Sequence, residues 1–211
     1  MASMREGVRR GRLKLGGWDQ AFGRLFSGEN FIFNKFSGTA DAGDTSIRFA
    51  PHMHGDIIAF PMQPGQEAIV ARGSYVASSP NVRVSGKMNW KGFIPFGSEE
   101  GFVLPHLKCS ETEGEGIAWL GTYGYFHKHE LKEGENLTVD NGLFLACTRH
   151  HKEVGELYEL VQMGETLVSS LFGAEGLGMK FSGPCTLYTQ SHNIYQTAAV
   201  ISQYLPHNYS A

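Results

Sequence analysis

The chain is short of several things, and each shortage removes a class of protein. No apolar run approaches the roughly 20 residues that cross a bilayer as a helix, so a helical membrane span is excluded. Cysteine is limited to Cys109, Cys147 and Cys185, in none of the short pair spacings of zinc ribbons or redox motifs. That usage predicts unpaired, buried thiols in a reducing compartment and no structural disulfide. Net positive charge is missing as well. The 18 Lys and Arg against 21 Asp and Glu give a formal charge of -3, and Arg72, Arg83 and Arg149 stand isolated rather than as a repeated stripe. No nucleic-acid partner is expected from such a field. Nor does the sequence hold a nucleophile elbow, a phosphate loop or a zinc-ligand spacing, which leaves little support for an enzyme.

What is abundant is glycine and phenylalanine, 27 and 14 of 211 residues, a mixture that suits short strands and tight turns. A soluble all-β chain follows, and at this length a single domain over residues 1–211. The first fourteen residues hold Arg5, Arg9, Arg10, Arg12 and Lys14 against Glu6 alone. They faintly resemble a transit peptide, but Gly7, Gly11, Gly16 and Gly17 would weaken its helix, and "VRRGRLKL" alternates as a strand does. No clear signal or transit peptide is predicted. Peripheral membrane contact is a further expectation, through this basic start with "WDQAFGRLF" at Trp18 or "WKGFIPF" at Trp90 as an aromatic edge. The competing use of those aromatics is packing between units.

Self-comparison organises the rest. "LFSGENFIFNKFSG" from Leu25, "PFGSEEGFVLPHLKC" from Pro95 and "LFGAEGLGMKFSG" from Leu171 repeat one phrase, which places Glu29, Glu100 and Glu175 at nearly regular intervals. A constant shift lays "PGQEAIVARGSYVASSPNVRV" over "EGENLTVDNGLFLACTRHHKEV", with Gly65 on Gly134, Gly73 on Gly142, Tyr75 on Phe144 and Ala77 on Ala146. Upstream, "SIRFAP" matches "GIAWLG", with Ile47, Phe49, Ile117 and Trp119 as the expected inward positions. Units of strands with no crossover helix require antiparallel pairing. The units run over about 26–95 and 96–171, with a third split between 172–193 and 1–25, which brings the ends of the chain together. After Asn193 the period changes: Ile194, Ala198, Ile201 and Leu205 share a helical face and Pro206 stops it. This predicts a helix over about 194–205 laid against the sheets.

The triplicated phrase, "GDIIAF" at Gly55, "PGQ" at Pro64, "ARGSYVASSPNV" at Ala71 and the closing "AAVISQYLP" resemble the altered inheritance of mitochondria protein 24 family and its bacterial relatives, from about Ala2 to Pro206. The resemblance implies a double-stranded β-helix, jelly-roll-like, in three repeats with pseudo-threefold symmetry, related to the tryptophan-binding RNA attenuation protein. It implies a mitochondrial location at the inner membrane in eukaryotes and a cytoplasmic one in bacteria, and it supplies no catalytic residues to carry over. Compared with that family the chain begins at the equivalent of Ala77, one strand pair late. An open sheet edge is expected, which a fragment would leave bare and a dimer would cover.

Two clusters invite chemistry. His127, His129 and Glu133 in "GTYGYFHKHELKEGEN" have nearly the spacing of cupin metal ligands, and a cupin-like metal-dependent enzyme is the competing reading of the chain. The shift between units places His127 over Ile58 and His129 over Phe60, so the alternation is that of a strand. His52 with His54, and His150 with His151, add no further ligand spacing, and His192 lacks the cupin glycine and proline context. Glu29, Glu100 and Glu175 could form a carboxylate triad on an axis. Their place after a small-residue turn suits backbone N–H acceptance better. The chain is thus read as a non-enzymatic β-rich scaffold or binding protein with no cofactor, engaging protein partners or itself.

Overall fold

The computed structural model describes residues 2–4, 8–14, 32–38, 46–51, 54–88, 103–149, 158–162 and 177–205. Within them every ladder is antiparallel, as units without crossover helices demand. Strand β1 (Ala2–Met4) pairs with β4 (Ile47–Phe49), and β2 (Val8–Lys14) with β3 (Ile32–Gly38). A three-stranded sheet sets β10 (Gly116–Gly121) between β5 (Ile57–Met62) and β7 (Tyr75–Ser78). The largest sheet runs in the order β11 (Phe126–Leu131), β16 (Cys185–Gln190), β13 (Phe144–Arg149), β6 (Glu67–Val70), β9 (Val103–Cys109) and β8 (Val82–Met88). A third sheet sets β15 (Leu177–Ser182) between β12 (Asn136–Asp140) and β14 (Tyr158–Gln162). Helix α1 (Ile194–Ser202) follows the last strand.

Glycine fixes the turns that the repeat predicts. Gly65 and Gly134 have φ of 75° and 85°, the left-handed region where a side chain is strained. Around them Gln66 and Glu135 close the same turn: their N–H groups donate to Gln63 O at 2.9 Å and Lys132 O at 3.0 Å. Their side chains accept from Gln63 N at 2.8 Å and Lys132 N at 2.7 Å. One turn ends β5 and starts β6; the other ends β11 and starts β12.

The registers repeat too. Ile57 faces Gly121 and Met62 faces Gly116; at the matching places of the next unit Phe126 faces Gln190 and Leu131 faces Cys185. The β7–β10 ladder slips between Trp119 and Leu120, and the β13–β16 ladder slips between Phe144 and Ala146. Reciprocal bonds tie the loops. Thr122 N–H donates to Asp56 O at 2.9 Å while Asp56 N–H donates to Thr122 Oγ1 at 3.1 Å. Likewise Ser191 N–H donates to Tyr125 O at 2.8 Å and Tyr125 N–H to Ser191 Oγ at 2.9 Å.

Two cores lie on opposite faces of the six-stranded sheet. Ala68, Val70, Val84, Leu107, Cys109 and Ala146 pack on Ile58, Phe60, Met62, Ala118 and Leu120 of the β5–β10–β7 sheet. On the other face Ile69, Leu104, Cys147, Cys185 and Leu187 pack on Val139, Tyr158, Met179 and Phe181. Phe144 and Phe181 stack at 5.3 Å between ring centres, and Phe60 meets Tyr188 edge-on at the same distance. Each such ring withdrawn from water contributes about 1.5–3 kcal/mol.

Three expectations need correction or fall outside the described residues. Ile117 and Trp119 are not the inward pair. Ile117 is 39% exposed and Trp119 half-buried, while Ala118 and Leu120 are fully buried. Alternation separates the two sets but leaves open which one meets the core, and here the six-stranded sheet lies on the side of the smaller residue. Helix α1 forms where predicted but is not laid against the sheets: Ile194 is 42% exposed, Ile201 52%, and Ala198 and Leu205 are open too. Its apolar residues, with Ala199 and Val200 among them, spread around the axis, so no single stripe commits it to a surface. Trp18, Glu29, His52, Trp90, Glu100, His150, His151 and Glu175 lie outside the described residues.

Candidate functional site

Strand β11 carries the two histidines of the cupin-like spacing. His129 is half-buried, with its Nε2 3.0 Å from Thr189 Oγ1 on β16. His127 is exposed, and its ring meets Tyr125 edge-on at 5.4 Å. Glu133 is exposed in the turn after β11. Ile58 and Phe60, which the shift between units places under the histidines, are 8% and 2% exposed. Imidazoles therefore stand where the sister strand is dry but β11 is wet. Among the described residues no three of His, Cys, Asp and Glu are grouped to hold a metal ion.

The six-stranded sheet assembles a polar cluster that no sequence spacing announces. Register places Ser85 of β8 and Ile69 of β6 opposite His106 of β9, and Glu67 opposite Lys108. His106 Nε2 lies 3.0 Å from Glu67 Oε2, His106 Nδ1 lies 3.3 Å from Ser85 Oγ, and Lys108 Nζ lies 3.3 Å from Glu67 Oε1. Burial works against the Glu67 carboxylate more than any one partner favours it. Hydrogen bonds and charges from His106 and Lys108 together nonetheless hold its pKa below the usual 4.5. With Nε2–H donating to Glu67, Nδ1 accepts from the Ser85 hydroxyl, the polarity of a nucleophile relay with its two imidazole edges exchanged. The ion pair with Lys108 occupies the carboxylate that a relay would use, and His106 is only 9% exposed. The cluster is best suited to fastening β6, β9 and β8 together. Its only trace in the sequence is the alternation of His106 and Lys108 along one strand.

Strand β7 presents the third feature. Ser79 N–H donates to Ile117 O at 2.8 Å, and by alternation the backbone groups of Ala77 face β10 and those of Ser78 the other way. Among the described residues β7 pairs on that one side only. Strand β13, its match by register, pairs on both: Cys147 faces Leu187 of β16 and Ile69 of β6, and Leu145 O accepts from Ala71 N–H at 2.7 Å.

Comparison with known proteins agrees with this architecture. An uncharacterised protein of Streptococcus pyogenes serotype M6 is 27% identical over 188 residues, which are 88% of this chain and 69% of that protein. A crystal structure of a Streptococcus pyogenes protein, 24% identical, superposes with a TM-score of 0.68 over 96% of this chain and 85% of its own, a likeness of fold. Residues 1–192 match the family described as mitochondrial biogenesis AIM24, and the chain belongs to that family.

Proposed function

We propose that the protein is a non-enzymatic β-rich scaffold, one domain of three double-stranded β-helix units about a pseudo-threefold axis, that pairs with a second copy of itself along β7. The pairing reading rests on a single observation: β7 keeps the register and the slip of β13 yet, among the described residues, has a partner on one side where β13 has two. The repeated turn at Gly65 and Gly134 and the repeated loop bonds at Asp56 and Tyr125 support the division into units. The scaffold reading draws support from the polar side chains of the large sheet, which bond to one another between packed strands. The family's description links its members to mitochondrial biogenesis, and a streptococcal relative lives without mitochondria. Assembly is a role both settings can use; a mitochondrial inner-membrane setting for a eukaryotic copy follows from the family resemblance alone.

An antiparallel β7–β7 contact across a two-fold axis meets the symmetry of most dimers. So short a strand offers only a few hydrogen bonds of about 1 kcal/mol net each, so the dimer depends on concentration. Sedimentation velocity over a dilution series tests this. The wild-type protein is expected to move from dimer to monomer, Ser78→Ala to follow it, and Ser78→Pro, which removes an outward N–H at an edge where proline is tolerated, to stay monomeric. A Ser78→Pro protein that dimerises like wild type would overturn the edge assignment.

A further inference from the structure

Two of the three thiols meet. Cys147 lies opposite Leu187, so Cys185, two places back along β16, takes the diagonal position on the same face of the sheet. Both belong to one core, where each thiol shifts the pKa of the other. Cys109 is apart from them, in the other core, with its thiol toward Gly114 O at 3.5 Å. Arg149 completes the group. Its Nε donates to Pro184 O at 3.0 Å and its Nη2 to Ser182 O at 3.4 Å, which places the cation on the turn that leads into Cys185.

We propose that Cys147 and Cys185 form a reversible dithiol–disulfide pair, in which Cys185 reacts with a hydroperoxide and Cys147 resolves the product. The roles follow from position. Cys147 is wholly buried in the middle of β13, whereas Cys185 keeps 8% exposure as the first residue of β16, next to exposed Ser182 and Pro184. A local opening of that turn reaches Cys185 without unpacking the core. The electrostatics agree in direction. The neighbouring Cys147 thiol lowers the Cys185 pKa, burial opposes it and Arg149 adds to it. The same contact, together with burial, pushes the Cys147 thiol well up. The thiolate, which is the nucleophile, therefore forms at Cys185.

The Cys185 thiolate attacks one peroxide oxygen, the O–O bond breaks, and the other oxygen leaves with a proton as an alcohol or as water. Cys185 is then a sulfenic acid. The Cys147 sulfur attacks the Cys185 sulfur, the S–O bond breaks, and water leaves with the thiol proton. Two thiols and one hydroperoxide become a disulfide, an alcohol (or water) and a water. Diagonal neighbours on a ladder have Cβ atoms somewhat under about 7–8 Å apart, against roughly 3.8 Å in a disulfide. Closure must pull the start of β16 inward. The resulting bond is strained, so a small dithiol reopens it readily.

The test uses the reduced full-length protein, treated with hydrogen peroxide while folded, then denatured and alkylated at once with N-ethylmaleimide. Of the three free cysteines, one, Cys109, is expected to remain alkylated. Peptide mass spectrometry should find a Cys147–Cys185 link, and dithiothreitol should restore all three sites. In Cys147→Ser, dimedone should trap a sulfenic acid at Cys185. Three alkylated thiols after peroxide, or a first oxidation at Cys109, would overturn the proposal, and because the wild-type protein carries this result a misfolded variant leaves it decidable.

Discussion

At the scale of single residues, Gly55 and Gly73 separate two reasons for glycine. A Cβ on Gly55 would collide with the backbone carbonyl of Thr122 and stand 2.9 Å from Gly124 N, both held by the bonds that tie the loops. At Gly73 the φ is 76° and nothing lies within 4 Å of the added carbon. Gly55→Ala should therefore lose about 3 kcal/mol through overpacking and Gly73→Ala about 1 kcal/mol through backbone strain alone, as read from urea unfolding midpoints. Glu67 gives a pH signature. Its folded pKa is below the unfolded value of 4.5, so the stability it contributes is complete above 4.5 and is lost as pH falls through the folded value. The advantage of wild type over Glu67→Gln should shrink as unfolding is followed from about pH 6 to about pH 3. An advantage that grew on acidification would put the charge of Glu67 in the wrong place. Nothing local in the sequence marks this residue: Glu67, His106 and Ser85 come from three separate strands and meet only through register. Cys147 and Cys185 were hidden for the same reason, since β14 and β15 both intervene between them along the chain.

At the scale of elements, turns and periods were legible and faces were not. The glycines at 65 and 134, the strand at "VRRGRLKL" and the change of period after Asn193 all have local causes, and each formed where it was expected. Which face of β10 meets the core depends on what the large sheet brings to it, and which way α1 lies depends on its first turn. That turn is pinned by Asn193, whose Nδ2 donates to Asp140 Oδ1 at 3.2 Å and whose backbone oxygen receives Thr197 N–H at 3.0 Å. The rest of the helix has little packing to lose. Substituting Ile201 and Leu205 together by Ser should change unfolding stability by about 0.5 kcal/mol or less, whereas Phe60→Ala, which empties a place 2% exposed, should cost about 3–5 kcal/mol. Equal losses in the two variants would mean that α1 is packed after all.

At the scale of the whole molecule, the recurrence of turns such as those at Gly65 and Gly134 was readable, while the order of strands across the large sheet was not, because it interleaves segments distant in the chain. The dimer proposed along β7, held by backbone hydrogen bonds, would differ from a lipid contact of the basic start in its response to salt. Raising sodium chloride from about 0.1 M to about 0.5 M should leave the dimer fraction unchanged and should weaken adsorption to anionic vesicles. A dimer that dissolves in salt would point to paired charges instead of paired strands.

The loop bonds between Thr122 and Asp56 and between Ser191 and Tyr125 each join residues 66 positions apart. Strand β13 likewise waits for β6 behind it and β16 ahead of it. These contacts join segments distant in the chain, so the loop entropy of long segments must be overcome before the reward arrives, and folding should be slow, in the range of roughly milliseconds to seconds. On the ribosome the consequence is sharper. Gln190, the last residue of β16, must be clear of the exit tunnel before β13 has both of its neighbours along their full length. Through most of its synthesis the chain therefore exposes pairing edges with no partner yet made.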